Sequence, residues 1–294
     1  MIEGGAMLDP RLHTFLVLCE TMNYTRAAER LCLTQPAVSH QIRSLEAYYG
    51  HRLFSYGGKA LRLTAEGERL RDLARPLAYN SRKIRETLSH SAPVSLRVGA
   101  TKTIGAYVAA PLVARFLRRH PDAALSLTVE NTQVLLSALE AGALDFALVE
   151  GFFDRQAYAA RLLRREAFFG VCAPEHPFAG QVVEPEALLS QRLLVREAGS
   201  GTRAIFEEAL RRRCYALEHF PRVTEISEFS TIKALLVENL GVSFLYAPVV
   251  ERELSTGTLA RFDLTGEPLS GAFHLVCLRD NLFSGAWDDW LDTE

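Results

Sequence analysis

Apolar residues recur at helical spacing between residues 24 and 50, and this pattern predicts two helices joined by a short turn. In the first helix, Ala27, Ala28 and Leu31 fall on one face. The second helix has a stripe at spacings of 4, 3 and 4, which consists of Val38, Ile42, Leu45 and Tyr49. The pattern therefore predicts a helix-turn-helix with one buried face on each helix.

Local signals mark where these two helices begin and end. Thr25 and Thr34 are predicted N-caps, because a threonine hydroxyl can accept a hydrogen bond from a free amide of the first turn. Pro36 fits the first turn of the second helix, where no helical donor is lost. Gly50 supplies the left-handed residue that ends this helix.

The opposite face of the second helix is polar and carries no acidic side chain. Its residues are Gln35, Ser39, His40 and Arg43. A helix that enters the major groove of DNA needs such side chains, because Arg and Gln can bond to base edges and Ser can bond to phosphates. The alternative is an ordinary solvated helix face, which periodicity alone would favour.

Shorter elements flank the helix-turn-helix on both sides. A first helix over residues 9–20 is expected to brace it. Residues 52–54 and 60–63 are predicted strands on either side of a turn at Gly57-Gly58. Such a hairpin is the wing of a winged helix-turn-helix.

A long helix is predicted over residues 65–90, with Thr64 as its N-cap. Its apolar positions form a near-heptad seam, which consists of Leu70, Leu73, Leu77, Ile84 and Leu88. The seam packs either on its own domain or on a second copy of the helix. Pro76 is expected to bend the helix or to break one turn.

Residues 12–67 together resemble the LysR-type transcriptional regulators. The resemblance rests on Phe15, Tyr24 to Ala28, Leu31, Thr34 to Ser39, Gln41, Ile42, Leu45, Glu46, Gly50, Leu53, Phe54, Leu63, Thr64 and Gly67. One position departs, since Tyr56 stands where the family usually has arginine, and Lys59 or Arg62 is the candidate replacement for the phosphate contact of the wing. The resemblance implies a cytoplasmic regulator of double-stranded DNA that forms a dimer or tetramer through the long helix.

The DNA-binding residues that follow from this resemblance and from the polar face form one set. They are Thr25, Thr34, Gln35, Pro36, Ser39, His40, Arg43, Lys59 and Arg62.

Strands and helices alternate after a predicted hinge at residues 91–93, and this order is typical of an α/β domain with a mostly parallel sheet. A late apolar strand, residues 273–278, is expected to return to the first half of the sheet. The pattern resembles the two-lobed, periplasmic-binding-protein-like effector domain of the same regulators. The predicted division is a DNA-binding domain at 1–64, a linker helix at 65–90 and an effector domain at 91–294, with lobe I at 95–167 and 268–294 and lobe II at 168–267.

Three predicted strand-to-helix turns present hydroxyl groups at helix starts. Free amides and the positive end of the helix dipole make such turns suitable for anions, and ligands gather at the carboxyl ends of strands in α/β sheets. The alternative is that each hydroxyl only caps its helix. The predicted residues for a small, anionic effector are Thr101, Lys102, Thr103, Thr132, Ser200, Gly201, Thr202, Arg203 and Ser230.

Composition limits the remaining functions. No apolar stretch reaches the roughly 18 residues of a membrane span, so no membrane association is expected. The five cysteines include no CxxC pair, which favours reduced thiols in the cytoplasm. Residues 1–90 hold 13 Lys+Arg and 9 Asp+Glu, a net +4, whereas the remainder of the chain is at −6. A basic N-terminal part on an acidic body is typical of a DNA-binding module attached to a sensor.

No arrangement of residues indicates catalysis, and no cofactor or metal is expected. The glycine turn at 199–203 lacks the lysine of a Walker loop, and the histidines do not stand at metal-ligand spacing. Asp145 and Glu150 lie at opposite ends of one buried strand, where structural roles are expected. The competing hypothesis is a two-lobed small-molecule-binding protein or enzyme whose N-terminal residues serve only for oligomerisation.

Overall fold

The structure is a computed structural model and describes residues 8–58, 60–88, 95–281 and 290–291. The predicted hinge at 91–93 and the wing residue Lys59 lie outside these residues. The chain divides into two compact units, one built on Met1–Val94 and the other on Ser95–Leu139 and Leu144–Cys277.

The N-terminal unit is a winged helix-turn-helix followed by a long helix, as predicted. Its elements are α1 (Pro10–Thr21), α2 (Tyr24–Leu31), α3 (Gln35–Tyr49), β1 (Phe54–Gly57), β2 (Ala60–Leu63) and α4 (Ala65–Leu88). The core lies between α1, α2, α3 and the wing, where Phe15, Val38, Ile42 and Leu45 are buried. Removing these apolar side chains from water is the main force that holds the three helices together.

Polar groups at the helix ends fix the boundaries of α2 and α3. The prediction that Thr25 caps α2 is wrong, because the cap is Asn23, whose side chain accepts the amide of Thr25 at 2.9 Å. Asn23 has an extended backbone while Thr25 is already inside the helix. The cap at Thr34 is confirmed by its bond from the amide of Ala37, and Gly50 ends α3 with φ +74°.

Helix α3 is anchored to the wing by Glu46, which is buried. Its Oε1 accepts the amide of Leu53 at 2.9 Å, and its Oε2 pairs with Arg52 at 2.9 Å. Tyr49 is 44% exposed, so its predicted place in the buried stripe is wrong. The last turn of α3 extends past the core, and the ring of Tyr49 instead contacts Tyr48 with centroids 5.1 Å apart.

Helix α4 begins with the hydroxyl of Thr64 accepting an amide of its first turn and continues without interruption to Leu88. Pro76 was expected either to bend the helix or to break one turn, and the continuous helix excludes the broken turn. A proline removes one backbone donor, and the burial of Ala74 and Tyr79 on either side of it offsets that loss. Part of the predicted seam is open to solvent within one chain, namely Leu73 at 62%, Leu77 at 55% and Leu88 at 65% exposure.

The C-terminal unit is an α/β domain with two lobes. Its strands are β3 (Ser95–Thr101), β4 (Ala124–Glu130), β5 (Phe146–Glu150), β6 (Tyr158–Cys172), β7 (Val182–Val183), β8 (Leu193–Val195), β9 (Val223–Glu225), β10 (Ser243–Tyr246), β11 (Ala260–Leu264) and β12 (Ser270–Leu278). Its helices are α5 (Lys102–Tyr107), α6 (Ala109–Arg119), α7 (Thr132–Glu140), α8 (Gly201–Arg211), α9 (Phe229–Val237) and α10 (Ala247–Thr256). Short 3-10 turns lie at Pro185–Ser190 and Leu217–His219.

One sheet runs through both lobes in the order β4-β3-β5-β12-β6-β11-β7, and β10 also pairs with β6. Lobe I contains β3, β4, β5 and β12, with β3 parallel to both β4 and β5. Lobe II contains β7 to β11, with β8 and β9 as a separate parallel pair. The predicted return of the late strand is confirmed, because Leu275 of β12 pairs with Leu148 of β5.

Strand β6 is fifteen residues long. Helices α5 and α6 follow each other directly, and Val108 is the residue between the two. Among the residues that the structure describes, no helix is both long enough and apolar enough to cross a bilayer.

Candidate DNA-binding face and effector cleft

The polar residues of α3 lie on its outer face. Gln35, His40 and Arg43 are exposed, and Ser39 is half-buried. The Nε of Arg43 donates to the carbonyl of Ser39 at 3.3 Å, and no carboxylate among the described residues pairs with this guanidinium. The two terminal nitrogens of Arg43 can therefore donate to an external acceptor. Thr34 and Pro36 are also exposed, at the first turn of the same helix.

The wing presents Arg62 and Tyr56 to solvent. Arg62 on β2 pairs with Ser55 on β1, and Tyr56 is 68% exposed. The side chain of Arg62 lies across Gly57, where a Cβ would come within 3.2 Å of its Nε. A larger residue at position 57 would displace the exposed end of Arg62 by a few tenths of an ångström. The wing therefore carries a cation in the described residues even though tyrosine occupies position 56.

The candidate effector cleft lies where the first turn of α5 and the end of β5 in lobe I meet the start of α8 in lobe II. The hydroxyl of Thr103 donates to Glu150 Oε1 at 2.7 Å. The hydroxyl of Thr202 donates to the same oxygen at 3.1 Å, and the two hydroxyls lie 3.1 Å apart. All three side chains are buried. Two of the predicted turns are thus brought together, and a carboxyl group lies between them.

The sequence pattern predicts only a structural role for Glu150. Burial raises its pKa from the ordinary 4.5 to about 7, against the lowering effect of the Thr103 and Thr202 hydroxyls. Its Oε2 is buried without a hydrogen-bond partner among the described residues. A signal for it does exist in the sequence, because a carboxylate that directly follows a buried strand and precedes glycine stands at the ligand-binding edge of an α/β sheet.

Two glycines allow the lobes to touch at this point. A Cβ on Gly201 would lie 2.6 Å from the carbonyl oxygen of Glu150, and a Cβ on Gly151 would lie 2.9 Å from the Cα of Gly201. Neither distance is possible for a real side chain. The predicted residue Gly201 therefore permits the close backbone contact between β5 and α8.

Several buried polar atoms in this unit keep unused hydrogen-bonding capacity. Arg196 is 3% exposed, its Nε and Nη2 donate to Glu197, and its guanidinium lies 4.1 Å from the ring centroid of Phe229. Within the described ranges, the atoms without a partner include Thr101 Oγ1, Glu150 Oε2, Arg196 Nη1 and Tyr246 Oη. Unsatisfied buried groups are rare in folded proteins and often mark a position for water or a ligand.

Lys102 and Ser230 are less open to a ligand than expected. The ammonium of Lys102 lies 3.5 Å from Glu228 and 3.7 Å from Glu197, so its charge is balanced within the chain. Helix α9 begins at Phe229, and its N-cap is Glu228. Ser230 is consequently an exposed residue of the first turn and not its cap.

A cavity of about 300 Å³ lies at the N-terminus of α8, and we name it the cleft cavity. Arg203 lines it, but its guanidinium pairs with Glu207 at 2.6 Å and with Glu225 at 2.5 Å. Thr132 also lines it and donates to the carbonyl of Glu150 at 3.3 Å. The remaining lining residues are Gln133, Leu136, Phe152, Ala198, Gly199, Ser200, Gly201, Ala204 and Glu207. Four of the nine predicted effector residues, Thr132, Ser200, Gly201 and Arg203, thus share one cavity.

Family models match both parts of the chain. Residues 10–68 match the bacterial regulatory helix-turn-helix protein of the lysR family. Residues 92–293 match the LysR substrate binding domain.

Relatives of similar length are transcriptional regulators. The RuBisCO operon transcriptional regulator of Allochromatium vinosum is 31% identical over 280 residues, which cover 94% of this chain and 91% of that protein. The HTH-type transcriptional regulator CfxR of Cupriavidus necator is 30% identical over 281 residues, which cover 94% of this chain and 87% of the relative.

Solved structures share the fold along nearly the whole chain. A full-length OxyR variant from Pseudomonas aeruginosa is 24% identical with a TM-score of 0.66, covering 97% of this chain and 94% of that chain. Full-length BenM is 20% identical with a TM-score of 0.56, covering 92% and 90%. The motif, the two-lobed domain and these matches agree, and the chain belongs to the LysR family of transcriptional regulators.

Proposed function

We propose that this regulator binds double-stranded DNA through the outer face of α3 and the wing, as a cytoplasmic homo-oligomer whose DNA contacts change when a small anionic effector binds in the cleft cavity. The observation that carries the proposal is the exposed face of α3. Gln35, Ser39, His40 and Arg43 offer hydrogen-bonding groups there without an acidic neighbour, on a helix held by the buried Glu46.

The DNA contacts divide into two kinds. Arg43 and Gln35 are suited to base edges, since their side chains can form paired hydrogen bonds with guanine and adenine respectively. The residues suited to phosphates are Thr25, Thr34, Ser39, His40, Arg62 and Lys59 of the wing. Pro36 is suited to close packing against the sugar-phosphate backbone of the DNA. Phosphate contacts set the position of α3, and the base contacts supply sequence preference.

The oligomer is proposed to form through α4. Leu73, Leu77 and Leu88 are large apolar side chains that one chain leaves more than half exposed. A second α4 that packs against this seam would remove them from water, as in a coiled coil. A dimer is the smallest assembly that satisfies this contact, and a tetramer is compatible with it.

The effector is proposed to place its anionic group at the start of α8. Free amides of the first turn, the helix dipole and the hydroxyl of Ser200 all favour negative charge there. The hydroxyls of Thr103 and Thr202 already donate to the carboxyl of Glu150. The effector's anionic group is therefore proposed to bind on the side of the α8 start that faces the cleft cavity. Both lobes line the cavity, so a bound effector can favour one arrangement of the lobes over another. The size of this shift is set by the difference between the effector's affinities for the two arrangements.

A mobility-shift assay with the region upstream of the regulator's own gene tests the proposal. We expect a sequence-specific shift that weakens steeply with salt, as phosphate contacts require. A shift that random DNA competes away as well as the specific fragment does would overturn it.

A further inference from the structure

A second cavity, of about 600 Å³, lies between the C-terminal half of α8 and the strand β12, and we name it the arginine cavity. Its charged and titratable lining residues are Arg155, Arg165, Arg212, Arg213, His274, Glu208 and Glu267. Both lobes contribute, since Arg155, Arg165 and His274 come from the lobe I side and Arg212 and Arg213 follow α8 of lobe II. None of these residues belongs to the predicted DNA-binding or effector-binding sets.

Among the described residues that line this cavity, positive charge is in excess. They provide four guanidinium groups and two carboxylates, and the carboxylate of Glu208 is already bound by Arg211 and Arg212. Arg165 has no carboxylate partner among the described residues, although its neighbour Arg164 pairs with Glu166 at 2.6 Å. Arg165 and Arg212 are exposed, so water screens their mutual repulsion, and the concave surface that they line concentrates a positive potential on an incoming anion.

His274 is affected by these positive charges and helps to hold Arg155 in place. Burial and the charges of Arg155 and Arg165 lower the pKa of its ring, which keeps the ring neutral. The Nη2 of Arg155 lies 3.2 Å from Nε2 of His274. An arginine can only donate, so Nε2 is the acceptor and the guanidinium is held in place. The ring of Phe153 also contacts His274, with centroids 5.4 Å apart.

We propose that the arginine cavity is a second ligand site, which binds a small polyanion of the phosphate-ester or polycarboxylate class. Planar guanidinium groups match the paired oxygens of phosphates and carboxylates, and they bind them with charge-assisted hydrogen bonds. A volume of about 600 Å³ accommodates a small molecule with two or three anionic groups. A monoanion would leave most of the positive charge unbalanced.

The arrangement of the two cavities connects this ligand with regulation. Phe152 lines both the cleft cavity and the arginine cavity. Helix α8 contributes its N-terminal residues to the first and its C-terminal half to the second. A polyanion between Arg165 and Arg212 would join the two lobes through charge, so it would change the affinity of the cleft cavity for its own ligand, and the coupling is reciprocal.

The test uses the full-length protein, isothermal titration calorimetry, and pyrophosphate and citrate as probes, with acetate as the monoanionic contrast. We expect pyrophosphate or citrate to bind while acetate does not. Arg165→Gln should weaken binding about tenfold, as expected for the loss of a charge-assisted hydrogen bond. The matched control is Arg164→Gln, the adjacent exposed arginine that is paired with Glu166, and its affinity should stay within about twofold of the parent.

A second pair of variants keeps the test independent of any one substitution. Arg212→Gln changes the lobe II wall, and Arg211→Gln is its control outside the cavity, since both arginines pair with Glu208. Absence of binding by both polyanions in the parent overturns the proposal, as does equal weakening in Arg164→Gln and Arg165→Gln. Loss of binding in Ser200→Ala instead would assign the polyanion to the cleft cavity. Specific DNA binding by the variants shows separately whether the regulator itself is functional.

Discussion

The hydroxyl of Thr103, in the first turn of α5, donates to the carboxyl group of Glu150, at the end of β5, over 2.7 Å. The hydroxyl of Thr202 reaches the same oxygen from the other lobe. Two helix-start hydroxyls that were predicted to hold an external anion thus hold a carboxyl group of the chain itself. This contact makes the junction between the lobes sensitive to the protonation of one side chain.

The first prediction concerns pH. Glu150 titrates at about 7 in the folded protein and near 4.5 when unfolded, so the folded state binds more protons between these values. The free energy of unfolding should therefore fall as pH rises through this window, by about 3 kcal/mol in total. Urea unfolding at pH 5, 6, 7 and 7.5, followed by the fluorescence of the buried Trp290, measures the slope.

The variant Glu150→Gln isolates this contribution. It should remove most of the downward slope, and Glu218→Gln, a change at an exposed carboxylate that lines neither cavity, should leave the slope as it is. The comparison is needed because the pKa of His274 is lowered in the folded protein. His274 therefore changes the free energy of unfolding in the opposite direction, since its contribution to stability is lost as pH falls. An unchanged slope in Glu150→Gln would show that the carboxyl is not the titrating group.

The second prediction concerns the cleft cavity. Ser200→Ala should change fold stability little, because its side chain makes no cap hydrogen bond to α8. The loss of one hydrogen bond to a charged ligand should weaken effector binding about tenfold. A thermal-shift screen of small organic acids on the full-length protein identifies ligands, and repeating it with Ser200→Ala measures the loss. Ser126→Ala, on the exposed face of β4, is the control.

Acids that stabilise Ser200→Ala as well as they stabilise the parent would exclude the start of α8 as the anion site. Screening Arg165→Gln with the same acids separates the two cavities, since only polyanions should depend on Arg165.

The third prediction concerns DNA recognition. Arg43→Ala should weaken specific binding by about 1–3 kcal/mol and relax the preference at one base pair, as expected for a paired base contact. Ser39→Ala should have a smaller effect, about 0.5–1.5 kcal/mol, since it removes one neutral hydrogen bond. Mobility shifts with a set of single-base variants measure both. Arg211→Ala, in the C-terminal unit, is the control, and equal affinity and preference in Arg43→Ala would remove Arg43 from the contact set.

The fourth prediction concerns assembly. Replacement of Leu73 and Leu77 by Glu places charges in the exposed seam of α4, and an unpaired buried charge strongly disfavours association. Sedimentation velocity should show a smaller species than the parent, with unchanged secondary structure by circular dichroism. Leu240→Glu, at another exposed leucine, should sediment like the parent. A double variant that sediments like the parent would indicate that the seam is not the interface.

The sequence predicts best those features that depend on neighbouring residues. The cap at Thr34, the stop at Gly50 and the burial of Val38 follow from short-range spacing and backbone preference, and the structure has all three. Asn23 was missed as a cap because Thr25 carries the same type of signal two residues later. The start of α3 around Pro36 was predicted correctly because it, too, depends on neighbouring residues.

Residues whose environment is set by distant parts of the chain were harder to predict. Tyr49 continues the apolar spacing of α3, but the core ends before its turn. Glu150 is 47 residues from Thr103 and 52 from Thr202, and only the packing of β5 against α8 brings these hydroxyls to its carboxyl. Arg203 was expected to face a ligand, and Glu225, 22 residues away, pairs with it instead.

The continuous strand β6 limits the kind of motion that a ligand can produce. Its fifteen residues pair with β12 in lobe I and with β10 and β11 in lobe II, so no loop separates the lobes along this path. A movement that keeps these ladders intact is a change in twist between neighbouring strands, which sheets accept over a range of about −10 to −35°. The signal from a bound effector should therefore be a small rotation spread over many backbone bonds, and the amides of β6 should stay protected from hydrogen exchange in both states.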